Sequence, residues 1–176
     1  MNFQPTPLEG ACLVDLDLLQ DERGFFARSF CRHEFEAQGL DPCVEQCNVS
    51  FNRVRGTLRG LHYQAPPHAE AKLVRCTQGA IWDVIVDLRP ASPTYKRWYG
   101  VELSAANRRA LYAPEGVAHG FQTLADDSEI LYMMSAAYRP ESARGVPWND
   151  PAFAIEWPIA NPTMSERDRG FAPLGA

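Results

Sequence analysis

Residues 80–88, AIWDVIVDL, constrain the fold more than any other stretch of the chain. They are rich in β-branched and aromatic side chains and too short for a helix of comparable apolarity, so they read as a strand. One parity carries Trp82, Val84, Val86 and Leu88; the other carries Ile81, Asp83, Ile85 and Asp87. Successive strand residues face opposite sides of a sheet, so the second face alternates isoleucine with carboxylate. An aspartate turned into a barrel interior needs partners, because an unpaired buried charge is costly. Asp83 is therefore a candidate supporting residue for a site, and Asp87, nearer the following turn, is expected to be exposed.

Similar short segments recur at 25–30, 73–76, 98–103, 109–113 and 130–134. Turn signals separate them at 89–93, 104–107, 114–116 and 126–128. Many short strands with closely spaced turns predict an antiparallel sandwich or barrel. Helix is sparse: 33–38, stopped by Gly39, is one candidate, and another begins after Ser165, an N-cap before Glu166. No repeat, linker or low-complexity tract divides the 176 residues, so one domain spanning 1–176 is expected.

Composition narrows the function classes. A net charge of -5 argues against general nucleic-acid binding. The start of the chain has no basic segment leading an apolar run, so no signal peptide is expected, and no apolar run approaches the roughly 20 residues of a membrane helix. The 5 cysteines (Cys12, Cys31, Cys43, Cys47, Cys76) are an odd number without CxxC spacing, which favours free thiols in a reducing cytoplasm. Locally the charge balance inverts. Arg53, Arg55, Arg59, Lys72 and Arg75 face Glu70 alone between residues 53 and 75, which suits a small anionic ligand or, more plainly, a solvated basic rim.

The chemistry concentrates in Arg55–Gln64, RGTLRGLHYQ. Arg59 and His62 stand three residues apart, and Gln64 occupies the place where a metal-binding hairpin would want a second histidine. A lone histidine beside fixed positive charge suits a proton-abstracting base better than a metal ligand, pointing to proton transfer on an anionic substrate. Strict alternation would send Arg59 and His62 to opposite faces. For both to line one pocket the strand must kink or bulge near Gly60, which glycine permits.

The spacing P-x-G-x-x-H in Pro114–His119 resembles the second metal-binding motif of the cupin superfamily, whose fold is a jelly-roll barrel. The first cupin motif would be His62-Tyr-Gln64, with one histidine and no following acid. A catalytic metal needs about three protein ligands and only two can be assembled. The implied protein is all-β, a cupin-type double-stranded β-helix with a few short helices and neither metal nor cofactor.

A wider set of motifs occurs in order: DERGFF (21–26), QCN (46–48), LRGLHYQ (58–64), KLVR (72–75), DVIVDLR (83–89), 114–121, LY (131–132), PES (140–142) and WNDP (148–151). Together they resemble the dTDP-4-dehydrorhamnose 3,5-epimerase family, from about residue 7 to about residue 168. The resemblance implies an enzyme that epimerises C3, C5 or both of a nucleoside-diphosphate 4-keto-6-deoxy sugar through an enolate. By that resemblance His62 is the base, Asp168 orients it, and Tyr132 is the acid on the other face. Lys72 and Arg59 face the enolate oxygen, and Asp83 pairs with Lys72 or Tyr132. Arg23, Gln46, Asn48 and His119 match positions that hold diphosphate and sugar, and Tyr138 stacks on a ring. His119 also reads as a hydrogen-bonded structural histidine.

Three positions depart from the family pattern: Arg28, Cys47 and Ala143, all in segments associated with substrate holding. They leave open a single-carbon epimerase or one acting on a GDP- or CDP-linked keto-sugar. A non-catalytic sugar-nucleotide binding cupin and a metal-dependent cupin are the rival classes. The resemblance also implies a homodimer in which the N-terminal strand region joins the partner's sheet. Leu13, Leu16, Leu18 and Leu19 precede the turn at Gly24 and need cover.

Overall fold

The computed structural model describes residues 1–175; Ala176, the end of the expected domain, lies outside the described residues. Two antiparallel sheets form a jelly-roll barrel. The six-stranded sheet has the order β1 (Asn2–Pro5), β2 (Cys12–Asp15), β10 (Ala110–Ala113), β7 (Lys72–Gln78), β12 (Ser128–Met134), β5 (Gln46–Asn52). The five-stranded sheet runs β13 (Ala143–Gly145), β6 (Leu58–Gln64), β11 (Val117–Thr123), β8 (Ala80–Asp87), β9 (Trp98–Ser104). A separate hairpin pairs β3 (Leu19–Asp21) with β4 (Gly24–Phe26). The helices are α1 (Arg32–Ala37) and α2 (Glu166–Arg169), the latter capped by Ser165, whose hydroxyl accepts from the Asp168 N–H at 3.1 Å.

The alternation read in 80–88 sets the layers. Ile81 and Ile85 meet Val74, Leu111, Phe121 and Ile130 in the core between the sheets. The opposite parity, Val84 and Val86, packs outward with Leu61, Val146 and Phe153, so the C-terminal segment covers that face. On the far side of the six-stranded sheet, Phe35 of α1 packs with Val14, Leu73 and Tyr112.

Two expectations change. Asp87 is fully buried, not exposed. It accepts from Arg89 Nε at 2.9 Å, Ser92 Oγ at 2.5 Å and Thr94 Oγ1 at 2.6 Å. Burial works against its charge, but these bonds outweigh it and hold the carboxyl well below the usual range. The strand expected over 25–30 ends at Phe26. Of the four leucines, Leu13 is buried in the core, whereas Leu19 stays 67% exposed on the hairpin.

Candidate active site

An open cleft of about 290 Å³ is lined by residues of both sheets. Its walls come from Asn48 and Ser50 on β5, Arg59 and His62 on β6, Lys72 on β7, His119 on β11 and Tyr132 on β12, with Glu70 and Tyr138 from connecting segments.

Arg59 and His62 reach the same cleft because β6 bulges. Arg59 pairs with Phe121 and His62 with His119, so three steps along β6 match two along β11. Gly60, at φ 124°, makes the extra step in a backbone region that disfavours other residues. A Cβ there would sit 2.5 Å from the Gly120 Cα, so the close approach of the two strands requires glycine as well.

Two histidine–aspartate pairs stand on these neighbouring strands. His62 Nε2 lies 2.8 Å from Asp168 Oδ1, and the Gly60 N–H donates to Asp168 Oδ2 at 3.2 Å. Burial opposes the Asp168 charge, but the His62 and Gly60 bonds prevail and keep its pKa below the ordinary carboxylate value. His119 Nε2 lies 2.7 Å from Asp83 Oδ1. Here burial dominates and raises the Asp83 pKa, with His119 and Lys72 acting against it; among the described residues Asp83 Oδ2 has no hydrogen-bond partner.

Tyr132 faces His119 edge-on, ring centroids 5.9 Å apart. Burial and the nearby Asp83 charge push its phenol well above the usual tyrosine value, against the lowering effects of Arg59 and the Ser50 hydroxyl. The Lys72 side chain is 6% exposed. Its Nζ donates to the His62 carbonyl at 2.9 Å and lies 3.2 Å from Glu70 Oε1. Arg59 Nε donates to Asn52 Oδ1 at 2.7 Å.

The cleft therefore gathers His62, Lys72, Arg59, Asn48, His119, Tyr132 and Tyr138 from the expected set. Asp168 and Asp83 sit directly behind the two histidines. Asp83 bonds His119, not the expected Lys72 or Tyr132, because Lys72 turns to Glu70 instead. His119 is the hydrogen-bonded structural histidine of its second reading, and it also lines the cleft. Gln46 lies outside the lining and accepts the Tyr138 N–H at 2.9 Å, bracing that rim. Arg23 is 83% exposed at the hairpin turn, ion-paired with Asp21, and is not brought to the cleft. Of the five basic residues in 53–75 only Arg59 and Lys72 line it.

Sequence reasoning missed Glu70 as a site residue, reading it only as the lone acid among bases. Gln64 is a clamp: it donates to the carbonyls of His68 and Ala137 and accepts the Arg139 N–H at 2.6 Å. Among the described residues no group of three or more His, Cys, Asp or Glu side chains could hold a metal ion. Of the departures from the family pattern, Ala143 lines the cleft. Arg28 pairs with Glu34 at 2.9 Å, and Cys47 is exposed outside it.

Comparison with known proteins decides the family. The dTDP-4-dehydrorhamnose 3,5-epimerase family model matches residues 5–175. The chain belongs to this family. It is 44% identical over 169 residues to the dTDP-4-dehydrorhamnose 3,5-epimerase of Shigella flexneri, covering 96% of this chain and 93% of that one. The crystal structure of the Elizabethkingia anophelis NUHP1 enzyme of the same name superposes with a TM-score of 0.96 at 39% identity, over 98% of this chain and 96% of that one. The dTDP-4-dehydrorhamnose 3-epimerase of Streptomyces niveus is 39% identical over 170 residues, covering 96% of this chain and 82% of that protein. The all-β cupin-type barrel and the isomerase class expected from the motifs are thereby those of the chain's family.

Proposed function

We propose that this chain epimerises a dTDP-linked 4-keto-6-deoxy sugar at the carbons flanking the ketone, within one domain spanning 1–176. One observation carries the reading. His62 and Tyr132 enter a single cleft from facing sheets, with Lys72 beside them. A proton can then leave one face of a sugar carbon and return to the other.

In this reading, Asp168 engages His62 Nε2, leaving Nδ1 to accept the carbon-bound proton. The electron pair moves into the ketone and forms an enolate, whose oxygen meets the Lys72 ammonium and the Arg59 guanidinium. Fixed positive charge in a dry site stabilises such an oxyanion by several kcal/mol, on the order of 3. Tyr132, kept protonated by its burial, donates to the opposite face. Asp83 acts through His119. Asn48, Arg59 and His119 hold the sugar and diphosphate, Gln46 braces the segment bearing Tyr138, and Tyr138, 52% exposed at the rim, stacks on a ring.

Arg23 fits the same reading through a homodimer. Among the described residues the β3–β4 hairpin pairs only with itself, and Leu19, Phe26 and Val49 are 67%, 71% and 64% exposed. Lying over a partner's sheet, the hairpin would cover this apolar surface and carry Arg23 to the partner's cleft. Sedimentation as a monomer at micromolar concentration would count against it. Among the described residues no helix is long and apolar enough to cross a membrane, and the cysteines are free thiols, which supports a cytoplasmic enzyme.

Proton NMR in deuterated water, with dTDP-4-keto-6-deoxyglucose and catalytic protein, tests the proposal. Deuterium entering at both C3 and C5 is expected. Entry at C3 alone would make it a 3-epimerase, as the Streptomyces niveus relative is named. No exchange by a folded protein would return the question to GDP- and CDP-linked sugars and to a binding-only role.

A further inference from the structure

Glu70 stands in the segment before β7, its side chain 5% exposed, and lines the cleft. Its Oε1 lies 3.2 Å from Lys72 Nζ, while its Oε2 is buried and has no hydrogen-bond partner among the described residues. A carboxylate half-satisfied in this way is a poor stabiliser, because its desolvation is not fully offset. Its position suggests a role in the chemistry of the cleft.

An ammonium has three donors. The His62 carbonyl takes one and Glu70 takes a second, which leaves one N–H for the cleft. We propose that Glu70 is a positioning residue for the epimerisation reaction: it fixes Lys72 in place and keeps it an ammonium, aimed at the enolate oxygen. The proposal rests on the epimerase reading above for its consequence, though not for its geometry.

The surroundings of Lys72 show why Glu70 matters. Burial works strongly against the ammonium, and the Glu70 charge is the largest influence opposing it, followed by Asp83 on β8. From the other walls it shares the cleft with Arg59 and His62 on β6, His119 on β11 and Tyr132 on β12. None of these four brings a negative charge to the cleft, the Tyr132 phenol being held protonated by its burial, so none replaces Glu70. Without its charge, Lys72 would lose its proton at lower pH and present a neutral amine to the enolate.

The test uses Glu70→Gln, which keeps the shape and removes the charge, with Glu70→Asp as a charged control. The alkaline limb of the kcat/KM profile for exchange is expected to move down by about one pH unit or more in Glu70→Gln. In Glu70→Asp it should fall between that and wild type. In parallel, carbon NMR of the Lys72 side chain, assigned with Lys72→Met, reads the ammonium directly and without substrate. Its titration should move in the same direction. Coincident limbs and coincident Lys72 titrations in wild type and Glu70→Gln would overturn the proposal. If Glu70→Gln does not fold, Glu70→Asp carries the same comparison. Wild-type protein that catalyses no exchange would sink the epimerase reading, yet the Lys72 titration would still decide the coupling to Glu70.

Discussion

The two histidine–aspartate pairs are nearly identical in length, 2.8 Å for His62–Asp168 and 2.7 Å for His119–Asp83, and their histidines face each other across β6 and β11. They differ in surroundings. The His62 side chain is 38% exposed to the cleft, and its aspartate has a second bond, from the Gly60 N–H. His119 is 4% exposed, and among the described residues its aspartate has one oxygen without a partner. The first pair therefore holds a settled carboxylate behind an accessible ring, which is what a base needs. The second is a buried brace between neighbouring strands of one sheet, β8 and β11. Spacing between residue types does not make a catalytic pair; access and the completeness of the carboxylate's bonding do.

This contrast can be broken experimentally. The largest effect is expected for His62→Ala, which should lower turnover about 10³-fold with an unchanged circular dichroism spectrum, since a positioned base contributes on the order of 10²–10⁴. Near-normal turnover would end the mechanism. Tyr132→Phe should cost about 10²-fold in net epimerisation by the same principle. Deuterium exchange measured alongside should fall less than product formation, because removal of the first proton survives.

The aspartates sharpen the comparison. Asp168→Asn should reduce kcat about 10²-fold, whereas Asp83→Asn should stay within about tenfold of wild type. A larger loss from Asp83→Asn would reverse the assignment of the pairs. The smallest effects are expected in the pH dependence of stability, where the signs differ. The pKa of Asp168 is lowered in the fold, so its contribution is present above 3.8 and lost as pH falls through the folded value. That of Asp83 is raised, so its contribution is present below 3.8 and lost as pH rises through the folded value. Urea melts between pH 3 and 7 should therefore show the stability of Asp168→Asn falling relative to wild type as pH rises. Asp83→Asn should gain.

Much of the fold was legible because it depends on local pattern. The alternation in 80–88, the turns at 114–116 and 126–128, and both short helices follow from side-chain periodicity and capping, and they appear where those rules put them. The need for a bulge at Gly60 was also legible, since Arg59 and His62 could not otherwise share a face. Asp87 was not. Its position next to a turn suggested solvent, but Ser92 and Thr94, brought back by the same turn, enclose it.

The sequence by itself determined the all-β class, several of the central strands, the family and the residue types gathered in the cleft, because each is written in spacing along the chain. The resemblance already implied Asp168 behind His62; only the tertiary structure decided the partners of Asp83 and Glu70. Asp168 comes to His62 across 106 positions, Asp83 goes to His119 across 36, and Lys72 takes Glu70. Those choices turn on distances of about 3 Å and on the exclusion of water, which exist only once β6, β11 and β8 have paired and α2 has packed against β6.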